Sequence, residues 1–321
     1  MKDIHILAPG PLMPLVLDQL AAKFTLHRLW EQSDEDAYLA SVAAQVRGLA
    51  VGGHVKVDPA YFAKFPKLEI VSNFGVGYDS VDAKYAGQHK IMVTNTPDVL
   101  TEEVADTCLG LVLMTVKEMP HSERWLRAGH WANKGAYPLT HTTLRGQKVG
   151  IFGLGRIGKA IAKRLEAFGV EISYHNRRKV SDVSYRYYDS LKELASAVTM
   201  LISVAPGGPE THHIINADVF KALGPQGIFI NIGRGSAVDE PAMIEALKNK
   251  VIWSAGLDVF EHEPHVPAEL IALENTVLLP HIGSATHHTR NLMGQLVVDN
   301  LTGWFSGKGP ITPVAETPWT K

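Results

Sequence analysis

The stretch "VGIFGLGRIGKAIAKRLEAFG", residues 149–169, decides the fold. Gly153, Gly155 and Gly158 stand in G-x-G-x-x-G spacing between a short apolar run and an amphipathic helical pattern. A second apolar run, "VEISYH" at 170–175, closes a strand–helix–strand unit. In such a unit the first glycine permits a tight turn. The second lets the backbone approach a pyrophosphate, and the third lets helix pack on strand. The helix N-terminus offers N–H groups and positive potential to the phosphates. The same spacing could mark a bare tight turn, but the flanking strands and helix predict dinucleotide binding.

The second strand ends in "HNRRK". An NAD site places an acid there to hold the adenosine ribose. Here the position, 18 residues past Gly158, is Asn176, followed by Arg177 and Arg178. Asn176 removes the repulsion a carboxylate would exert on a 2′-phosphate. The two guanidinium groups can supply charge-assisted bonds to that phosphate, each contributing roughly 1.5–3 kcal/mol. The alternative is a solvated basic loop. Placed by the fingerprint, the stretch predicts NADP(H) in preference to NAD(H).

Outward from this unit the alternation continues. "KVGIFG", "VEISYH", "TMLISV", "GIFINIG", "SAGLDVF" and "TVLLP" predict six strands of a doubly wound sheet. In the first hundred residues, "IHILAP", "TLHRL", "GLAVGG", "LEIVSNFG" and "IMVTNTP" predict a second parallel sheet, without a glycine fingerprint. "TEEVADTCLGLVLMTVKEM", residues 101–119, predicts a long helix crossing between the two, with Thr101 as N-cap and Pro120 at its end. A long helix from about Ala285 to Phe305 returns to the first domain. The fold expected is α/β with two doubly wound parallel-sheet domains. A Rossmann domain at 100–284 is inserted in a flavodoxin-like substrate-binding domain of residues 1–99 and 285–321.

Composition sets the limits. The 321 residues suffice for two domains. A net charge of −2 supplies no basic field for nucleic acid or an anionic membrane. The single cysteine, Cys108, excludes an internal disulfide and a multi-thiolate metal site, and its apolar context reads as core. The N-terminal "MKDIHILAPG" reads as strand and turn rather than signal peptide, so the expected location is cytoplasmic. Fifteen histidines suggest metal by count, but His212–His213 and His287–His288 are adjacent pairs without i,i+4 ligand spacing, so no metal is expected. Trp125 and Trp131 read as core or subunit-interface aromatics.

Three residues fall where strands of the second sheet end: Arg234 after "GIFINIG", Glu263 past "SAGLDVF", and His281 after "TVLLP". The C-terminal ends of parallel strands line the ligand crevice. Singly, each has a bland reading: a buried arginine, a surface glutamate, a helix-capping histidine. Together they form a set able to reduce a 2-keto acid. His281 donates a proton to the developing alkoxide. Glu263 beside it favours the imidazolium form. Arg234 holds the carboxylate and polarises the keto group.

The motifs "GLGRIG", "INIGRGSAVDE", "GLDVFEHEP" and "PHIGSAT" occur in order. Over nearly its whole length the chain resembles the D-isomer-specific 2-hydroxyacid dehydrogenases. With "NRR" and "PHIGSATHHTRN" it looks most like their NADPH-dependent glyoxylate/hydroxypyruvate reductases. "TNTPDVLTEEVAD" is similarly shared with hydroxyphenylpyruvate reductases. The resemblance implies the catalytic roles above for Arg234, Glu263 and His281. It implies that the backbone of Val76 and Gly77 clasps the substrate carboxylate, with Ser284 also at the substrate. It places Arg156, Ile157, Ile232 and Asp258 among the cofactor contacts, Asp258 near the nicotinamide carboxamide. It implies a homodimer. A non-catalytic nucleotide-sensing protein on the same scaffold is the remote alternative.

Overall fold

Most apolar runs of the sequence become strands in the computed structural model, which describes residues 1–52 and 55–320. The chain divides into two units, Met1–Leu100 with Ala285–Lys321, and Thr101–Ser284.

The first unit holds a parallel sheet of β1 (His5–Ala8), β2 (Thr25–Arg28), β3 (Val46–Gly52), β4 (Ile70–Phe74) and β5 (Met92–Thr94), in the order β2-β1-β3-β4-β5. That is the flavodoxin-like order. Gly53, the last residue of the expected strand "GLAVGG", lies outside the described residues. The helix His287–Phe305 packs on this sheet. Val297, Val298 and Leu301 are buried with Ile6, Val16, Leu20 and Ile70. The Ser72 hydroxyl of β4 donates to the Val297 carbonyl at 3.4 Å. The helix begins two residues later than expected because Thr286 caps it, its hydroxyl accepting the Thr289 N–H at 3.2 Å.

The second unit holds β6 (Lys148–Phe152), β7 (Glu171–His175), β8 (Arg186–Tyr187), β9 (Met200–Ser203), β10 (Ile228–Asn231), β11 (Ser254–Leu257) and β12 (Thr276–Leu278). Their order is β12-β11-β10-β9-β6-β7-β8, all parallel. The order reverses between β6 and β9, which is the switch point of a Rossmann sheet. β8 is an addition to the six expected strands. At two residues it is too short to carry a periodic pattern.

The crossing helix runs from Thr101 to Val116 and buries Cys108, Leu111 and Val112. Thr101 is its first residue, with Glu102 and Glu103 in its first turn. The helix stops before the expected Met119. Glu118 adopts a left-handed conformation (φ 50°), and Pro120 sits in the first turn of a new helix, Met119–Arg127. Proline is tolerated there because its missing N–H would have no partner. Neither this helix nor His130–Lys134 buries any residue. Trp131 is 64% exposed, which removes the core reading for that residue. Trp125 is half-buried and donates its indole N–H to the Gly135 carbonyl at 3.2 Å.

Leu301→Ala leaves a cavity between the returning helix and the first sheet, an expected cost of about 2–5 kcal/mol. Hydrogen exchange should show the loss of protection confined to residues 1–100 and 285–320, with the Thr101–Ser284 unit unchanged.

Candidate active site

The glycine loop of the second unit is shaped by contact on one side and open space on the other. Gly153 has φ 99°, and a Cβ there would lie 2.8 Å from the Ala205 amide nitrogen. A Cβ on Gly158 would collide with the Gly153 carbonyl. At Gly155 a Cβ would meet nothing within 4 Å. The helix Arg156–Glu166 follows with no side chain capping its N-terminus. Its first-turn amides and the open face at Gly155 therefore suit a pyrophosphate. The residues present fit the dinucleotide that the fingerprint predicts.

Asn176 does more than vacate the place of an acid. Its Oδ1 accepts the Leu154 N–H at 2.6 Å, and its Nδ2 approaches the Leu154 carbonyl at 3.4 Å. The side chain ties the end of β7 to the glycine loop leaving β6. Arg177 and Arg178 are exposed just beyond it. The Arg177 Nη1 pairs with Glu210 Oε2 at 2.7 Å. Tyr174, fully buried, holds the far side of this loop: its hydroxyl bridges the Val180 carbonyl at 3.2 Å and the Val180 N–H at 3.0 Å.

The catalytic candidates come together at the ends of β10, β11 and β12. His281 Nδ1 lies 2.7 Å from Glu263 Oε2, and the other oxygen of Glu263 accepts the Phe260 N–H at 3.0 Å. The carboxylate is thus fixed by its own loop, which contains a cis Glu263–Pro264 bond. With Nδ1 engaged, Nε2 is the imidazole atom left to move a proton. The carboxylate side chain is 18% exposed and the imidazole 45%, so the acid is covered while the ring remains accessible. His281 has φ 53°, a conformation held by the bond from its N–H to the Asp258 carbonyl at 2.9 Å.

Asp258 is 1% exposed, and burial raises its carboxyl above the usual range. Its two oxygens accept the N–H groups of Ile282 at 2.7 Å and Gly283 at 2.8 Å. It is thus the anchor of the turn that carries His281. Ser284 ends that turn and is buried.

Arg234 leaves β10 on the "GRG" turn. The Asn231 side chain donates to the Arg234 carbonyl at 3.0 Å and accepts the Gly233 N–H at 3.1 Å. A Cβ on Gly235 would collide with the Phe260 carbonyl, so this turn abuts the loop carrying Glu263. The Arg234 Nη1 donates to the Gly233 carbonyl at 2.8 Å. Ile232 is buried on the same turn, and a Cβ on Gly283 would lie 3.7 Å from its Cδ1. The three chemistry-bearing loops therefore touch within one unit.

In the first unit, the turn after β4 carries Val76 and Gly77. The Asn73 Nδ2 donates to the carbonyls of Gly75 at 3.2 Å and Gly77 at 2.9 Å. The Asn95 Nδ2 donates to the Val76 carbonyl at 2.8 Å. The carbonyls are thus drawn inward. Among the described residues, the Val76 and Gly77 N–H groups make no hydrogen bond. Paired donors of this kind suit a carboxylate. Asn73 and Asn95 were not singled out in the sequence; their only signal is an asparagine at the end of a buried strand.

His212, His213 and Glu261 bring ligand atoms within 4.8 Å of one another. His213 Nε2 lies 2.5 Å from Glu261 Oε1, which an imidazole–carboxylate hydrogen bond accounts for. Next to it, the buried Glu240 accepts the Glu261 N–H at 3.3 Å, and burial raises its carboxyl. Cys108 is fully buried and its thiol is pushed up to about 12, so it has no nucleophilic role at neutral pH. No helix of the described residues is long and apolar enough to cross a membrane.

A switch-point glycine loop beside a His–Glu pair and an arginine defines a nicotinamide-dinucleotide oxidoreductase. Residues 109–283 match the family model "D-isomer specific 2-hydroxyacid dehydrogenase, NAD binding domain". The chain is 46% identical over 314 residues to hydroxyphenylpyruvate reductase of Plectranthus scutellarioides, covering 98% of this chain and 100% of that one. It is 44% identical over 314 residues to glyoxylate/hydroxypyruvate reductase A of Arabidopsis thaliana, with the same coverage. It superimposes on the NADPH-dependent glyoxylate/hydroxypyruvate reductase of Sinorhizobium meliloti, solved with NADP and malonate, with a TM-score of 0.95, 51% identity and 99% of each chain covered. The chain belongs to the D-isomer-specific 2-hydroxyacid dehydrogenase family and is an enzyme of that class.

Asp258→Asn replaces one accepting oxygen with an amide donor that faces a backbone N–H. The expected cost is about 1.5–3 kcal/mol, seen as a lower urea midpoint. The rate should fall with it, because the turn holding His281 loses an anchor.

Proposed function

We propose that the chain reduces small 2-keto acids, glyoxylate and hydroxypyruvate, to D-2-hydroxy acids, with NADPH preferred over NADH and His281 as proton donor. The observation that carries this reading is the 2.7 Å contact between His281 Nδ1 and Glu263 Oε2 in the unit that bears the glycine fingerprint. When bound, the reduced nicotinamide supplies the hydride. Glu263 orients the imidazole through Nδ1, so Nε2 presents the proton to the alkoxide oxygen. Arg234 binds the substrate carboxylate and polarises the keto oxygen. Val76 and Gly77 N–H groups take the carboxylate, and Ser284 lines the substrate site. The malonate bound by the Sinorhizobium relative, a carboxylate, supports an anion site of this kind.

On the cofactor side, Gly153, Gly155, Arg156, Ile157 and Gly158 receive the pyrophosphate. Asn176 holds the glycine loop in place, and Arg177 and Arg178 take the 2′-phosphate. Ile232 and Asp258 lie toward the nicotinamide. The protein is read as a cytoplasmic homodimer. The exposed Leu126, Trp131 and Leu139 supply an apolar surface for the second copy. Reduction of hydroxyphenylpyruvate is the second reading, favoured by the 46% identity to a hydroxyphenylpyruvate reductase.

The test is kcat/KM for glyoxylate, hydroxypyruvate, pyruvate and hydroxyphenylpyruvate, each with NADPH and NADH. The small acids with NADPH should give the highest values; a higher value for the aryl acid selects the second reading. Neutralising Arg177 and Arg178 should lower the NADPH/NADH ratio by about tenfold or more. An unchanged ratio returns "NRRK" to a solvated basic loop.

A further inference from the structure

The residue expected to receive the 2′-phosphate already has a partner. Arg177 lies two residues past β7, and its Nη1 is 2.7 Å from Oε2 of Glu210, seven residues past β9. β6 runs between β7 and β9, and all three are parallel. Their C-terminal ends therefore share one edge of the sheet. The ion pair joins the loops on either side of the loop that leaves β6, which is the glycine fingerprint. Both members of the pair therefore stand at that edge, beside the fingerprint.

We propose that Glu210 is a specificity-determining residue for the cofactor. Its carboxylate occupies Arg177 until a 2′-phosphorylated adenosine displaces it. Asn176 leaves the end of β7 without an acid and ties itself to Leu154. Glu210 returns a carboxylate to that neighbourhood from the opposite strand. The carboxylate competes with a phosphate dianion for the same guanidinium and repels it. It does neither to a ribose 2′-hydroxyl, which can donate to it. Glu210 thus holds the preference for NADPH below what Arg177 alone would give. Both side chains are exposed, 80% and 77%, so the competition is screened and modest.

This inference rests on the NADPH reading, and the two separate by experiment. Dissociation constants of NADPH and NADH for the wild-type chain test that reading. The change in their ratio on Glu210→Gln tests this one, whatever the wild-type ratio is. At low ionic strength Glu210→Gln should tighten NADPH about two- to fivefold without tightening NADH. Adenosine 2′,5′-bisphosphate should tighten likewise as a competitive probe, and 5′-AMP should not. In an Arg177→Ala background, Glu210→Gln should change the ratio less, because only the direct repulsion of the phosphate is left to remove. An unchanged ratio, weaker NADPH binding in Glu210→Gln, or the same tightening without Arg177 would each overturn the proposal.

Discussion

The carboxylate of Asp258 sets the geometry of the candidate active edge. It is buried, and it accepts two successive backbone N–H groups, Ile282 and Gly283. Those bonds, with the Asp258 carbonyl taking the His281 N–H, hold His281, in the turn after β12, in a left-handed conformation that a non-glycine residue does not otherwise favour. In that conformation Nδ1 meets Glu263. The Glu263 loop is braced in turn by Phe260 and by the close approach of Gly235. His281, the residue proposed to move the proton, therefore rests on backbone hydrogen bonds.

The cofactor side follows the same economy of small polar ties. Asn176 links β7 to the glycine loop, and Tyr174 pins the loop after it at Val180. The two arginines between these anchors remain exposed. A hydrogen-bonded frame with exposed charged tips suits recognition of a phosphate, because the frame keeps the ordering cost low.

Much of this organisation is readable from residue order. All eleven expected strands have counterparts in the two sheets, most of them apolar runs long enough to show their pattern. Arg234, Glu263 and His281 were visible because strand ends in a parallel sheet share an edge, so residues far apart in the chain converge. The two-residue β8 left no periodic trace. The left-handed Glu118 that splits the long helix left none either, since its neighbours Lys117 and Met119 favour helix. Side-chain-to-backbone ties were likewise silent. Nothing in "SNFGVG" or "TNTP" announces that Asn73 and Asn95 draw three carbonyls away from the Val76–Gly77 turn. Glu210 lies 33 residues from Arg177, and only the strand order brings them together.

The central claim is that His281, steered by Glu263, supplies the proton. The most direct measurement is steady-state reduction of glyoxylate and hydroxypyruvate by His281→Ala, with NADPH binding measured in parallel and imidazole added to the assay. A general acid contributes about 10²–10⁴-fold. The account predicts a kcat loss of that size, NADPH affinity within about twofold of wild type, and recovery of rate in proportion to imidazole. A variant that turns over either substrate at the wild-type rate contradicts it.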